Sequence, residues 1–184
     1  MGLGDRLPGG GSSGEERLGY GADNESYHVY RAEPDEADDY PGRSDLTVAV
    51  TRVPELFEAT CSDEPFRSGD FATRGEIFCF LKVDGSDADD MVFEDRDAIE
   101  RAMEQALSAT HSGWLLGGAT GLRYSYVDFA VTDFDVAMSA LRQVLREGKI
   151  PRRSWILYFY TSLEDEWEGI WDDSPPPPAW GEDS

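Results

Sequence analysis

The sequence is poor in lysine, cysteine and histidine, and each shortage excludes a class of chemistry. Only two of the 16 basic residues are lysines, the acidic residues number 38, and the formal net charge is -22. A chain this acidic repels nucleic-acid phosphates and anionic lipid headgroups, so we expect no direct binding to nucleic acid or to membranes. Two cysteines make a disulfide framework unexpected, and the two histidines have no spacing that gives a metal pair or a nucleophile with its base.

Long apolar runs and targeting signals are also missing. No window of about 20 apolar residues exists, so we expect no transmembrane helix, and residues 1–14 lack the apolar run of a secretory signal. The expected location is therefore cytoplasmic. The acidity has two interpretations: it attracts a basic partner, or it keeps the protein soluble, as in a high-salt cytoplasm.

Composition divides the chain into an arm, a domain and a tail. Residues 1–45 are rich in glycine, serine and acidic residues and predict an acidic, partly disordered arm. Residues 46–171 carry the apolar patterning of a single α+β domain, which fits the length of the chain. Residues 172–184 form a Pro-rich acidic tail, where the four prolines at 175–178 impose a polyproline II conformation.

Apolar patterning within the domain predicts the order strand, helix, strand, strand, helix, strand. Capping residues mark the two helix starts, at Asp97 and at Thr132, and a glycine-rich turn is expected at 117–121. Strands at 46–53 and around 166–171 would extend the sheet. The four central strands are predicted at 76–83, 113–116, 123–131 and 155–160.

This order is the split βαβ arrangement called ferredoxin-like, with two helices on one face of an antiparallel sheet. The expected fold class is therefore α+β, a ferredoxin-like core with extra edge strands. The resemblance is one of topology and rests on no motif. Because this fold hosts enzymes, metal carriers, regulatory domains and RNA binders, no residue role follows from it.

The end of the chain offers a candidate binding surface. Residues 161–184 contain eight acidic residues and no basic residue, with Trp167, Ile170 and Trp171 spaced as on one face of a helix. Exposed, these side chains would form an aromatic anchor ringed by acid. Folded back, they would close the core beside the apolar run 155–160, which is the interpretation that this run favours. The candidate partner-binding residues are Glu164, Asp165, Glu166, Trp167, Glu168, Trp171 and Asp172.

The charge, this segment and the lack of a catalytic signature together predict a non-enzymatic binding module. Its partner would be a basic protein, as for an immunity protein, an inhibitor or a nucleic-acid mimic. No cofactor is expected.

An acidic loop provides a first alternative, a divalent-metal site or a metal-dependent enzyme. Six carboxylates stand within residues 84–95, and Ca²⁺ and Mg²⁺ take oxygen ligands of this kind. The spacing departs from the EF-hand pattern because Ser86 and Ala88 stand where ligands are needed, so a solvated loop is favoured. The candidate ligands are Asp84, Asp87, Asp89 and Asp90.

A second alternative is a small-ligand or regulatory domain that uses the sheet face lined by Tyr124 and Tyr126. Asp128 belongs to the same strand, and alternation predicts that it faces solvent with the two tyrosines. If Asp128 were buried instead, its pKa would rise unless a cation paired with it. The nearby arginines are Arg123, Arg152 and Arg153.

Overall fold

The structure is a computed structural model that describes residues 27–61, 65–70, 72 and 74–179. Within these residues the chain forms one seven-stranded sheet and three α-helices, which confirms the α+β class. The helices are α1 (Pro54–Cys61), α2 (Arg96–Thr110) and α3 (Phe134–Glu147). The strands are β1 (His28–Arg31), β2 (Leu46–Thr51), β3 (Ile77–Asp84), β4 (Gly113–Gly121), β5 (Tyr124–Val131), β6 (Ser154–Tyr158) and β7 (Glu168–Gly169).

Every strand of the sheet pairs with its neighbours in antiparallel fashion, in the order β1-β2-β4-β5-β3-β6-β7. The strands predicted at 46–53 and around 166–171 are present as β2 and the two-residue β7, and β1 adds a further edge strand. The sheet is thus larger than the predicted core. In the described part of the chain no helix has both the length and the apolar character needed to cross a membrane.

The sheet is covered on both faces, which explains why its central strands are apolar throughout. On one face α2 and α3 contribute Met103 and Leu141 to a core that includes Leu81 of β3, Phe129 of β5 and Ile156 of β6. A strand buried on both sides needs apolar residues at successive positions rather than at alternate ones.

The opposite face is covered by α1 and by irregular segments. Leu56 of α1 and Tyr40 pack against Phe80, Tyr126 and Trp155, which point away from α2 and α3. Tyr40 belongs to the predicted arm, so part of this arm packs against the sheet. Residues 27–45 supply β1 and part of this core, whereas residues 1–26 lie outside the described part of the chain.

In both long helices the capping residue lies one or two positions away from the predicted one. Asp95, not Asp97, caps α2, and its Oδ1 accepts a hydrogen bond from the backbone N–H of Ala98 at 2.8 Å. Asp133, not Thr132, caps α3. An aspartate in an extended conformation can accept hydrogen bonds from the free N–H groups at the start of a helix. Several possible capping residues lie near each helix start, so the sequence does not show which of them is the cap.

The predicted turn at 117–121 is part of β4, and the chain reverses direction after it. The glycines of this segment allow other groups to approach the backbone of β4 closely, and they do not form a turn. A Cβ at Gly118 would lie 2.5 Å from Oε1 of Glu100, and a Cβ at Gly121 would lie 2.1 Å from Oδ2 of Asp45. Glycine inside a strand often marks such a contact.

Candidate functional site

Four of the seven predicted partner-binding residues are exposed in one loop. Glu164, Asp165, Glu166 and Trp167 follow a short 3-10 turn and precede β7, and 36% of the surface of Trp167 is accessible. The three acids make no ion pair with any other described residue. We call residues 164–167 the acidic loop.

The remaining predicted residues attach the segment after the acidic loop to α3. Glu168 accepts a hydrogen bond from Nη2 of Arg142, and Asp172 accepts one from Nη2 of Arg146 at 2.8 Å. The Nε atoms of the same two arginines donate to backbone carbonyls of the segment at 3.0 and 2.7 Å. The arginines are one helical turn apart and therefore lie on the same face of α3.

The apolar residues of the segment divide between core and surface. Ile170 is fully buried, and Trp171 packs against the same core and donates from Nε1 to the carbonyl oxygen of Ile150 at 2.9 Å. The guanidinium of Arg152 lies 4.2 Å from the centroid of the Trp171 ring. Core closure is therefore confirmed for Ile170, whereas Trp167 stays exposed.

The candidate metal ligand Asp84 is fully buried and is occupied by hydrogen-bond donors. Its Oδ2 accepts from Nη2 of Arg123 at 2.8 Å and from Nε of Arg153 at 2.7 Å. Burial by itself would raise the pKa of Asp84, but the hydrogen bonds from Arg123, Ser86 and Arg153 outweigh it and hold the pKa well below its usual value. The carboxylate is thus already neutralised by protein cations.

The other candidate metal ligands form no cation-binding group with Asp84 among the described residues. Asp87, Asp89 and Asp90 are exposed in the loop that follows β3. Across the described residues, no group of three or more potential ligands is arranged to hold a metal ion.

Asp128 does not face solvent, and this prediction from strand alternation was wrong. Alternation places Asp128 correctly on the same face as Tyr124 and Tyr126, but that face is covered and all three side chains are buried. Asp128 forms an ion pair with Arg43 at 2.9 Å, with only 2% and 4% of the side chains exposed. Burial raises the pKa of Asp128 in spite of the arginine.

Arg43 is also enclosed by aromatic rings. Its guanidinium lies 5.0 to 5.3 Å from the ring centroids of Phe80, Tyr126 and Phe159. A planar guanidinium suits both the ring contacts and the carboxylate, so the pair fixes the segment around Arg43 on the sheet.

A buried lysine holds the same segment. Lys82 of β3 is fully buried, donates from Nζ to the carbonyl oxygen of Tyr40, and lies 4.0 Å from the centroid of the Tyr124 ring. Burial lowers the pKa of Lys82 to about 7, although Asp45 and Asp39 act in the opposite direction.

Asp45 joins this segment to the hairpin between β4 and β5. Its Oδ2 accepts from the backbone N–H groups of Arg123 and Tyr124, both at 2.9 Å, and its Oδ1 accepts from the hydroxyl of Tyr126. Asp39 adds a second contact to the hairpin, because it accepts from the Tyr124 hydroxyl at 2.6 Å.

We call these groups the polar cluster, in which Asp39, Arg123 and Arg153 are half-buried and the other members are buried. Its carboxylates accept hydrogen bonds from arginines, tyrosines or backbone N–H groups, and such a network rigidifies the part of the fold that it joins. The cluster therefore holds the segment 39–45 against one face of the sheet. Its members are Asp39, Arg43, Asp45, Lys82, Asp84, Arg123, Tyr124, Tyr126, Asp128 and Arg153.

The sequence analysis missed three central members of the cluster. Lys82 carried a usable signal, because a lone lysine inside the apolar run 76–83 must be buried in a covered strand. Arg43 and Asp45 carried no such signal in the sequence. Arg43 reaches a carboxylate 85 residues further along the chain, and only the fold brings the two together.

Comparisons with models of protein families, with curated proteins and with solved structures gave no match to this chain.

Proposed function

We propose that this protein is a non-enzymatic binding module that engages a basic protein partner through the acidic loop 164–167. Immunity proteins, inhibitors and nucleic-acid mimics act in this manner. The observation that carries the proposal is that one loop displays a partly exposed tryptophan and three exposed carboxylates with no ion pair to another described residue.

The charges of the loop are available to a partner because no cation among the described residues forms an ion pair with them. Arg142 and Arg146 lie nearby but are engaged by Glu168 and Asp172. The net charge of -22 adds a long-range attraction for a cationic protein, which accelerates encounter. Such attraction is screened beyond about 8 Å at physiological salt, so affinity should fall as salt increases.

Trp167 would supply the short-range part of the interaction. Tryptophan is enriched among the residues that dominate binding energy, and truncation of such an anchor costs about 2 kcal/mol or more. The loop is short and held on both sides, by β6 and by β7 with buried Ile170. Little conformational entropy is then lost when a partner binds.

The scaffold for this loop is, in our proposal, a ferredoxin-like core extended at both edges. The order β4-β5-β3-β6, the antiparallel pairing, and the packing of α2 and α3 on one face support this assignment. An experimental structure that gave a different strand order would contradict it.

The direct test is a pull-down from native cell extract with the whole chain as bait and elution by a salt gradient. A basic protein should be released at a defined salt concentration and should be lost on Trp167→Ala. It should also be lost when the three acids become Glu164→Gln, Asp165→Asn and Glu166→Gln.

Two matched controls separate the loop from the overall charge. The variant Asp87→Asn, Asp89→Asn, Asp90→Asn removes the same amount of charge from another exposed loop, and Tyr27→Ala removes another exposed aromatic ring. Both should retain the partner. Equal loss in the two triple variants would show a non-specific charge effect and would refute a binding site at the acidic loop.

A further inference from the structure

On the face of the sheet that α2 and α3 cover, the edge formed by β1 and β2 is partly exposed. The register aligns Val29 of β1, Val50 of β2 and Gly118 of β4 on the face where α2 lies, and 37% of Val29 is exposed. A groove runs there between α2 and the three strands, with Tyr27, Val50 and Leu115 among the residues that line it. The groove lies at the sheet edge opposite β7 and the acidic loop.

Two glycines of β4 line the groove, and neighbouring atoms of the chain already occupy the places of their side chains. Gly117 adopts a φ of 153° at an irregularity in the pairing of β4, and a Cβ there would lie 2.0 Å from the carbonyl oxygen of Val50. Its neighbour Gly118 likewise has no room for a Cβ beside Glu100. The close approach of Val50 and Glu100 within the chain accounts for both glycines.

A cation that has no charged partner within the described part of the chain lies on one side of the groove. The guanidinium of Arg52 lies 4.9 Å from the centroid of the Tyr27 ring and lines the groove. Its side chain has no ion pair or hydrogen bond with any described residue, and its Nε is inaccessible to solvent. A guanidinium can bind a carboxylate through two parallel N–H groups.

A partly satisfied carboxylate lies on the α2 side. Glu100 pairs through Oε1 with Nε of Arg96 at 2.9 Å, and Arg96 is fixed in turn by Thr120, whose Oγ1 accepts from Nη1 at 2.8 Å. The second oxygen, Oε2, has no partner among the described residues. The side chain of Glu100 is 27% exposed, and burial raises its pKa above the usual value although Arg96 acts in the opposite direction.

We propose that this groove binds a small zwitterion of the amino-acid type, with its carboxylate on Arg52 and its ammonium group on Glu100. A simple anion is disfavoured because the field of the whole chain repels it. A simple cation would leave Arg52 unpaired. A zwitterion satisfies both groups, and its aliphatic part contacts Val50 and Leu115.

The experiment is a titration of the whole chain with each of the common amino acids, followed by amide chemical shifts. At least one amino acid should produce saturable shifts in Val50, Leu115 and Gly118 with a dissociation constant below about 10 mM. Acetate alone and methylamine alone should bind at least about tenfold more weakly.

Two charge-removing variants test the ligand contacts, and two others serve as controls. Arg52→Gln and Glu100→Gln should each weaken binding at least about tenfold while the spectrum stays that of a folded chain. Lys149→Gln and Glu94→Gln remove the same charges at exposed positions that do not line the groove and should have no effect.

Three results would overturn the proposal: no saturable shift with any amino acid, equal affinity for acetate, or unchanged binding in both groove variants. The acidic loop lies at the far edge of the sheet, so the pull-down with the basic partner is independent of all three results.

Discussion

Replacement of Lys82 by methionine should change how the stability of the protein depends on pH. Lys82 is fully buried, and its pKa is about 7 in the folded chain against a usual value of 10.5. Between these values the unfolded chain binds a proton that the folded chain does not. The free energy of unfolding of the wild type should therefore rise with pH from about 7 to about 10.5, and this group adds no slope below pH 7.

The size of the effect follows from the gap between the two pKa values. A pKa difference of one is worth 1.36 kcal/mol, so the gap between 10.5 and about 7 corresponds to at most about 5 kcal/mol. From pH 7 to pH 9.5 the wild type should gain about 3 kcal/mol relative to Lys82→Met. Burial is the largest cause of the low pKa, while Asp45, Asp39 and Asp84 oppose it and Arg153 adds to it.

Urea unfolding followed by tryptophan fluorescence, repeated at half-unit steps of pH, measures this difference directly. Working below pH 9.5 avoids the region where tyrosines ionise in the unfolded chain. Lys149→Met is the matched control, because Lys149 is exposed and its removal should leave the pH dependence unchanged. A stability difference between wild type and Lys82→Met that did not vary with pH would refute the reasoning, since it would mean that the buried ammonium keeps its proton.

Three further changes should lower stability in urea unfolding for separate reasons. Asp128→Ala leaves the guanidinium of Arg43 buried without its carboxylate and should cost about 3 to 5 kcal/mol, and a cost near zero would mean that the pair is open to solvent. Gly121→Ala forces a methyl group against the carboxylate of Asp45 and should cost at least about 1 kcal/mol, whereas a neutral result would show that the carboxylate moves freely. Ile170→Ala creates a cavity in the helix-side core and should cost about 2 to 5 kcal/mol, and no loss would mean that the segment after the acidic loop is not docked.

Elements whose signals are local were predicted well. The strand predicted at 76–83 agrees with β3 to within one residue at each end, and the cap predicted at Thr132 lies one residue before the observed cap of α3. The predicted turn at 117–121 failed for a tertiary reason. Its glycines serve the contacts of Glu100 and Asp45 with β4, and nothing in the local sequence separates that role from a turn.

The candidate site was predictable in composition but not in arrangement. The acids and tryptophans after residue 160 could be identified from the sequence, because no basic residue interrupts them. Which of them stay free depends on Arg142 and Arg146 of α3, which engage Glu168 and Asp172 and leave the acidic loop unpaired.

By itself the sequence determined the net charge, the α+β class and most of the helices and strands, because these depend on composition and on residues close together in the chain. Only the tertiary structure decided which charged residues are buried. Alternation assigns Asp128 to a face of the sheet, but the covering of that face comes from Tyr40, Leu56 and Arg43. A charge enters a protein interior only when a partner compensates for the lost water, and the partner of Asp128 lies 85 residues away in the sequence.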